Sequence, residues 1–76
     1  MSTKVTFTIQ NRYQRDSGRR PTAAEAWKSA YHYASKDFFT SAPGEPVTLT
    51  VNGVSITGTK AQLSHLVDQK IRAAKN

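Results

Sequence analysis

The sequence contains no cysteine and only five acidic residues. Without cysteine the chain forms no disulfide framework, offers no thiolate nucleophile and builds no cysteine-ligated zinc site. The acidic residues are scattered, so neither a pair of catalytic carboxylates nor a Ser-His-Asp arrangement is apparent. The two histidines lie apart and have no acidic cluster beside them. We therefore predict no metal site, no cofactor and no catalytic residues.

Long apolar segments are also lacking. No run approaches the roughly 20 apolar residues that a membrane-spanning helix requires. The first ten residues, MSTKVTFTIQ, alternate and lack the apolar centre of a signal peptide. Together with the absence of cysteine, this favours the cytoplasm.

A chain of 76 residues predicts one domain, residues 1–76, with a modest core. Proteins of this size bury only about 60% of the surface that their unfolded chains expose. Such a core leaves little room for a deep catalytic pocket, so we expect a protein that is not an enzyme.

The charge is positive and unevenly distributed. Eleven lysines and arginines against five acidic residues give a net charge of +6. The excess lies in residues 1–20 and 59–76, whereas residues 21–58 are slightly acidic. Net charge bears on partners and solubility rather than on fold, so it directs attention to an anionic partner.

Three segments have the period-two alternation of half-buried strands. In residues 4–10, KVTFTIQ, every second residue is apolar. Residues 47–58 place Asn52-Gly53 between two alternating segments, and this pair favours a type I′ hairpin turn. In that register the apolar residues of both strands share one face, and the threonines and serine share the other.

Two further segments have helical spacing, and each begins with a capping box. Thr22 and Glu25 precede an apolar stripe that predicts a helix over residues 23–38. Thr59 and Gln62 open a second helix that continues towards the C-terminus. Between them, the prolines and glycine of TSAPGEP end the first helix.

The predicted order is therefore β-α-β-β-α. This order favours an α+β two-layer sandwich, with both helices on one face of a three-stranded sheet. The basic segment NRYQRDSGRRP, residues 11–21, has no apolar periodicity and is interpreted as a loop. If each element reverses direction, this loop, the Asn52-Gly53 turn and the C-terminus share one end of the domain.

At that end we predict a composite site for nucleic-acid phosphates or for an acidic protein surface. Arginine offers forked donors to phosphate, and an adjacent tyrosine can stack on a base. The predicted members are the basic and tyrosyl side chains Arg12, Tyr13, Arg15, Arg19, Arg20, Lys70, Arg72 and Lys75. The alternative is a solvated loop that keeps a small protein soluble.

The remaining polar and aromatic residues have simpler interpretations. Trp27, Tyr31 and Phe38 fall on the helical stripe and are predicted in the core. Tyr33 and Phe39, with Tyr13, are the candidates for exposed aromatic contacts, which are common in protein interfaces. The threonine-rich sheet face is interpreted as solvated. A partner platform, or a hydroxyl array for ice or carbohydrate, is the alternative there.

We thus expect a small binding protein whose basic end contacts nucleic acid. The alternative is a phage or mobile-element accessory protein that inhibits a nucleic-acid-handling complex, such as a host defence ribonucleoprotein, by protein–protein binding. Its size and lack of a catalytic signature are typical of that class. A small hydrolase using His32 or His65 is least favoured, because the topology does not bring the two together. A homodimer through a sheet edge is a further prediction.

Overall fold

In the computed structural model, which describes residues 4–75, strands and helices follow one another in a β-β-α-β-β-α order. The first helix continues through a π-helical segment and a last α-helical turn before the chain returns to the sheet. The elements are β1 (Val5–Gln10), β2 (Arg15–Arg20), α1 (Ala23–Tyr33), the π-helical segment (Ala34–Phe38), α2 (Phe39–Ser41), β3 (Val47–Val51), β4 (Val54–Gly58) and α3 (Lys60–Lys75).

The sheet has four strands in the order β2-β1-β3-β4, and every neighbouring pair is antiparallel. The central ladder joins β1 to β3, with Thr8 opposite Thr50. The same β-β-α order occurs in each half of the chain. The topology of the two halves is therefore related by an approximate twofold axis through the β1–β3 ladder.

The strand β2 corrects the predicted three-stranded sheet. The segment interpreted as a loop pairs with β1 from Val5–Arg20 to Gln10–Arg15. The segment needs no apolar alternation, because a side chain from β1 covers the centre of this edge strand on the helical face. The Phe7 ring lies over Gly18, where an added Cβ would come within 2.6 Å of Phe7 Cζ. An aromatic ring across a strand glycine stabilises such an edge.

The predicted hairpin between β3 and β4 is confirmed. Asn52 and Gly53 both have positive φ, 51° and 84°, as a type I′ turn requires. The predicted register, with Val51 opposite Val54, is also observed. Local turn chemistry and strand alternation thus specify this half of the sheet.

Both helices begin where the capping boxes predict, and each box shows one of its two hydrogen bonds. At α1 the Thr22 Oγ1 accepts from the Glu25 N–H at 3.2 Å. At α3 the Gln62 Oε1 accepts from the Thr59 N–H at 2.9 Å. Each bond satisfies one of the free N–H groups at a helix start.

The first helix extends beyond its predicted end at residue 38 and changes its hydrogen bonding there. The Phe39 N–H bonds to the Ala34 carbonyl five residues back, which is π-helical spacing. The extra residue rotates the following positions, so that Phe38 and Phe39 both reach the core. The prediction that Phe39 is an exposed aromatic is wrong, since only 7% of it is exposed.

One apolar core lies between the sheet and the helices. Trp27 and Phe38 are buried as predicted, whereas Tyr31 is half-buried against the core. Residues from β1, β3, α1 and α3 share this cluster, so the prediction that both helices cover one sheet face holds. Within residues 4–75, no helix combines the length and apolar character that crossing a membrane requires.

Candidate functional site on the open face of the sheet

The sheet face turned away from the helices, called the open face here, is polar throughout. Strand alternation and register place on it the side chains of Thr6, Thr8, Gln10, Arg15, Ser17, Arg19, Thr48, Thr50, Ser55 and Thr57. The charged members are both arginines, and no strand side chain of this face is a carboxylate. The face therefore combines a positive edge with a broad uncharged surface.

Hydroxyl groups form an ordered row across all four strands. The register aligns Ser17, Thr8, Thr50 and Ser55 side by side. Thr50 Oγ1 and Ser55 Oγ lie 2.9 Å apart, and in the next row Thr48 Oγ1 and Thr57 Oγ1 lie 3.0 Å apart. Hydroxyls both donate and accept, so these rows can contact phosphate and sugar oxygens.

Arg15 and Arg19 flank this surface on β2. Both are exposed, and they lie four positions apart along the strand. At about 3.4 Å per residue their Cα atoms lie roughly 13 Å apart. Asp16 belongs to the opposite face, where its Oδ1 accepts from the Ser17 N–H at 2.8 Å. Arg15 and Asp16 nevertheless line one depression together with Asp37, so carboxylates lie close to the Arg15 end of this face.

The turn between β1 and β2 is held by one side chain. Asn11 Oδ1 accepts from the N–H groups of Tyr13 and Gln14, each at 2.8 Å. This ordered turn presents Tyr13 with 67% of its surface exposed, as predicted, and Arg12 is exposed beside it. An aromatic ring and a guanidinium thus stand together at one end of the open face.

A shallow depression of about 320 Å³ lies at the same end. It is lined by Gln10, Asn11, Arg12, Glu45, Pro46, Thr48 and Thr57. Arg12 therefore borders the open face, but Glu45 contributes a carboxylate to the same rim. Carboxylates thus border Arg12 and Arg15 alike, so an anion is expected on the β2 side of the open face towards Arg19, in preference to this depression.

Arg20 is turned to the other face and serves the fold. Its Nε donates to Ser29 Oγ at 2.8 Å, and its Nη2 donates to the Tyr33 hydroxyl at 3.0 Å. The guanidinium carbon also lies 5.3 Å from the centroid of the Phe7 ring. These contacts join β2 to α1. Because strand alternation sends consecutive side chains to opposite faces, Arg20 lies on the helical face and Arg19 on the open face.

The predicted convergence of all the basic residues at one end does not hold, although Arg19 lies at the end of the Asn52-Gly53 turn, towards which α3 runs. Because β2 runs the length of the sheet, Arg12 and Arg15 lie at the Gln10 end, and Arg19 lies at the opposite end. Arg12 shares its end with Glu45. The arginines form a line along β2 instead of a cluster.

The cations of α3 belong to the helical layer and lie apart from the open face. Arg72 Nε lies 3.1 Å from the carboxylate of Asp68 in an exposed ion pair. Lys70 is half-buried. Lys75 is the last residue of α3, and its side chain lies outside the described residues. The helix starts next to Gly58 and runs back, so its basic end lies towards the Asn52-Gly53 turn.

The histidines show no shared site. His32 and His65 are exposed on different helices, and His65 Nε2 lies 3.1 Å from Gln69 Nε2. Among residues 4–75, no group of three or more histidine and acidic side chains is placed to hold a metal ion.

Sequence reasoning found the exposed arginines but missed Ser17 and the face that Arg15 and Arg19 share. The signal was the alternation within RDSGRR, which separates these residues from Asp16, Gly18 and Arg20.

No family model matches the chain, and neither a curated protein nor a solved structure matches it at a significant level.

Proposed function

We propose that the protein is a non-enzymatic nucleic-acid-binding module that applies the open face of its sheet to a phosphate backbone. One observation carries the proposal: Arg15 and Arg19 project from the same face of β2, beside rows of hydroxyls and without a strand carboxylate. Since the whole chain has a net charge of +6, long-range attraction acts in the same direction.

The chemistry of these groups fits backbone contact more closely than base reading. Arginine guanidinium groups bind phosphate through paired N–H donors, and the hydroxyl rows add neutral contacts to phosphate and sugar. The strands of the open face carry no aromatic side chain, so base stacking is confined to Tyr13 at the turn. Such contacts position a nucleic acid without reading its sequence, and binding is expected to depend weakly on sequence.

Salt dependence tests the proposal directly. Fluorescence anisotropy with mixed-sequence DNA and RNA, single-stranded and duplex, is measured at about 50 and 200 mM salt. Three phosphate contacts, from Arg12, Arg15 and Arg19, predict a slope of about −2.7 in log K against log salt for a duplex. Affinity then falls about 40-fold over that range. Absence of binding at the lower salt would remove the proposal.

A charge-matched pair of double variants separates a site from general attraction. Arg15→Gln with Arg19→Gln removes two charges from the open face, and Lys28→Gln with Arg72→Gln removes two exposed charges from the helices. The first double variant is expected to reduce the magnitude of the slope of log K against log salt by about two. The second double variant is expected to retain most of that slope. Equal loss in both would mean that net charge alone attracts the nucleic acid.

A further inference from the structure

The two edges of the sheet differ in how well they are protected. The β2 edge carries arginines, an aspartate and a glycine. The β4 edge, VSITG, has no charge and no proline, and it pairs only with β3 among residues 4–75. Edge strands usually carry a charge, a proline or a bulge that prevents pairing with another chain. The β4 edge therefore remains open to strand addition.

Strand geometry identifies the backbone groups that β4 leaves free. Val51 and Val54 flank the turn and bond to each other, so alternate residues of β4 bond to β3. The Asn52 N–H donates to the Thr6 carbonyl at 3.3 Å on the opposite side of β3, which agrees with this alternation. The N–H and C=O groups of Ser55 and Thr57 consequently point outward from the sheet.

An uncharged strip runs beside this edge on the helical side. Val54 is 45% exposed, and Ile56 and Leu66 are only half-buried against the core. On α3, Gln62 and Leu66 line a shallow depression together with Thr57 and His65. Lys70 follows one turn after Leu66, is half-buried, and bounds this strip towards the Asn52-Gly53 turn. Within the described part of the chain, the depression itself is lined without lysine, arginine or carboxylate, on a chain with a net charge of +6.

We propose that β4 is the docking edge for a second copy of this chain. The two β4 strands run antiparallel, and Ser55 of each copy lies opposite Thr57 of the other. Each of these pairs exchanges two backbone hydrogen bonds, since both residues have outward N–H and C=O groups. Ile56 then meets its counterpart on the twofold axis, on the helical side, where Val54 and Leu66 of both copies enclose it.

The charge distribution favours β4 over β2 as the edge at which a second copy pairs. Two chains of the same positive charge repel unless their basic surfaces remain apart. Pairing through β4 places the arginines of the two β2 strands at the outer edges of one continuous sheet. Pairing through β2 would instead bring those arginines together. The β4 pairing also joins the hydroxyl rows of the two open faces, because Ser55 and Thr57 belong to those rows.

The oligomeric state of the full chain provides the first test. Sedimentation equilibrium is expected to show a monomer–dimer equilibrium. Val54→Lys places a cation on the docking edge and is expected to raise the dimer Kd at least about tenfold. Ser17→Lys adds the same charge to the other edge strand and leaves the Kd within about threefold. Circular dichroism verifies that both variants are folded.

Cysteine cross-linking provides a second test that does not rely on a destabilising charge. The natural chain has no cysteine, so Ile56→Cys introduces one thiol per copy. Directly opposed residues in such a pair have Cβ atoms about 4.5–5.5 Å apart, close enough for a disulfide after small adjustments. Mild oxidation is expected to yield a covalent dimer from this variant, whereas the matched variant Ser17→Cys remains largely monomeric.

A wild-type chain that stays monomeric at every concentration up to about 1 mM overturns the inference. So does a dimer that Ser17→Lys disrupts and Val54→Lys leaves intact, because it uses the other edge. If another protein's strand is the occupant of β4, the isolated chain is monomeric and Ile56→Cys gives no covalent dimer. Nucleic-acid binding is measured separately, and neither result determines the other.

Discussion

The ring of Phe7 lies over Gly18, its cross-strand neighbour, so closely that a Cβ on Gly18 would approach Phe7 Cζ to 2.6 Å. Phe7 has no exposed surface, and its ring stacks on that of Tyr33 at a centroid distance of 5.8 Å. The ring therefore has little freedom to move aside. This contact explains how a basic segment without apolar residues on its buried side forms a strand.

Gly18→Ala is expected to destabilise the fold, because the new methyl group forces the Phe7 ring out of a filled core. Overpacking of this kind costs about 1–3 kcal/mol. Urea unfolding measures the change in the free energy of unfolding. Ser17→Ala, one residue earlier on the open face, is the matched control and should stay within about 0.5 kcal/mol. Equal stability of the Gly18→Ala variant and the natural chain would show that the ring yields freely.

Arg20→Met is expected to lower stability by about 1–2 kcal/mol, whereas Arg19→Met leaves it nearly unchanged. The first substitution removes the hydrogen bonds to Ser29 and Tyr33 and the guanidinium contact with Phe7. The second alters an exposed side chain of the open face. Thermal unfolding of the two variants, which carry the same net charge, compares them directly. Similar losses for both would contradict the assignment of Arg20 to the fold.

Thr22→Ala removes the hydroxyl that accepts from the Glu25 N–H at the start of α1. Loss of such a cap costs about 1 kcal/mol. Chemical denaturation gives the value, and Thr22→Ser, which keeps the oxygen, is the control that should retain most of the stability. An alanine variant as stable as the serine variant would indicate that water replaces the cap at no cost.

Local chemistry made part of this fold predictable. The Asn52-Gly53 turn fixes the β3–β4 register, and the Thr22 and Thr59 boxes mark both helix starts, because each signal lies within a few residues. The strand β2 was not predicted, because the apolar side chain that covers it, Phe7, belongs to β1 and not to the segment itself. The π-helical segment escaped because an α-helical period places Phe39 off the apolar stripe.

For the candidate site, the sequence predicted which residues are exposed but not which of them lie together. Arg12, Tyr13, Arg15 and Arg19 are all exposed. The sequence analysis interpreted their segment as a loop and therefore placed Arg19 and Arg20 in one cluster. In a strand, consecutive side chains point to opposite faces, so the two arginines are separated. The same alternation placed Arg19 on the face of Arg15. Whether these arginines bind nucleic acid stays a prediction until the salt dependence is measured.

The repeated β-β-α order has a consequence for how the chain acquires its structure. The β1–β2 and β3–β4 pairings each join residues that are close in sequence, so each requires little loop closure. The β1–β3 ladder joins the two halves across the first helix and both connections. The packing of α1 on α3 joins the halves over a similar distance in sequence. The long-range contacts therefore lie where the two halves meet, in this ladder and between these helices, and forming them carries much of the entropic cost of folding.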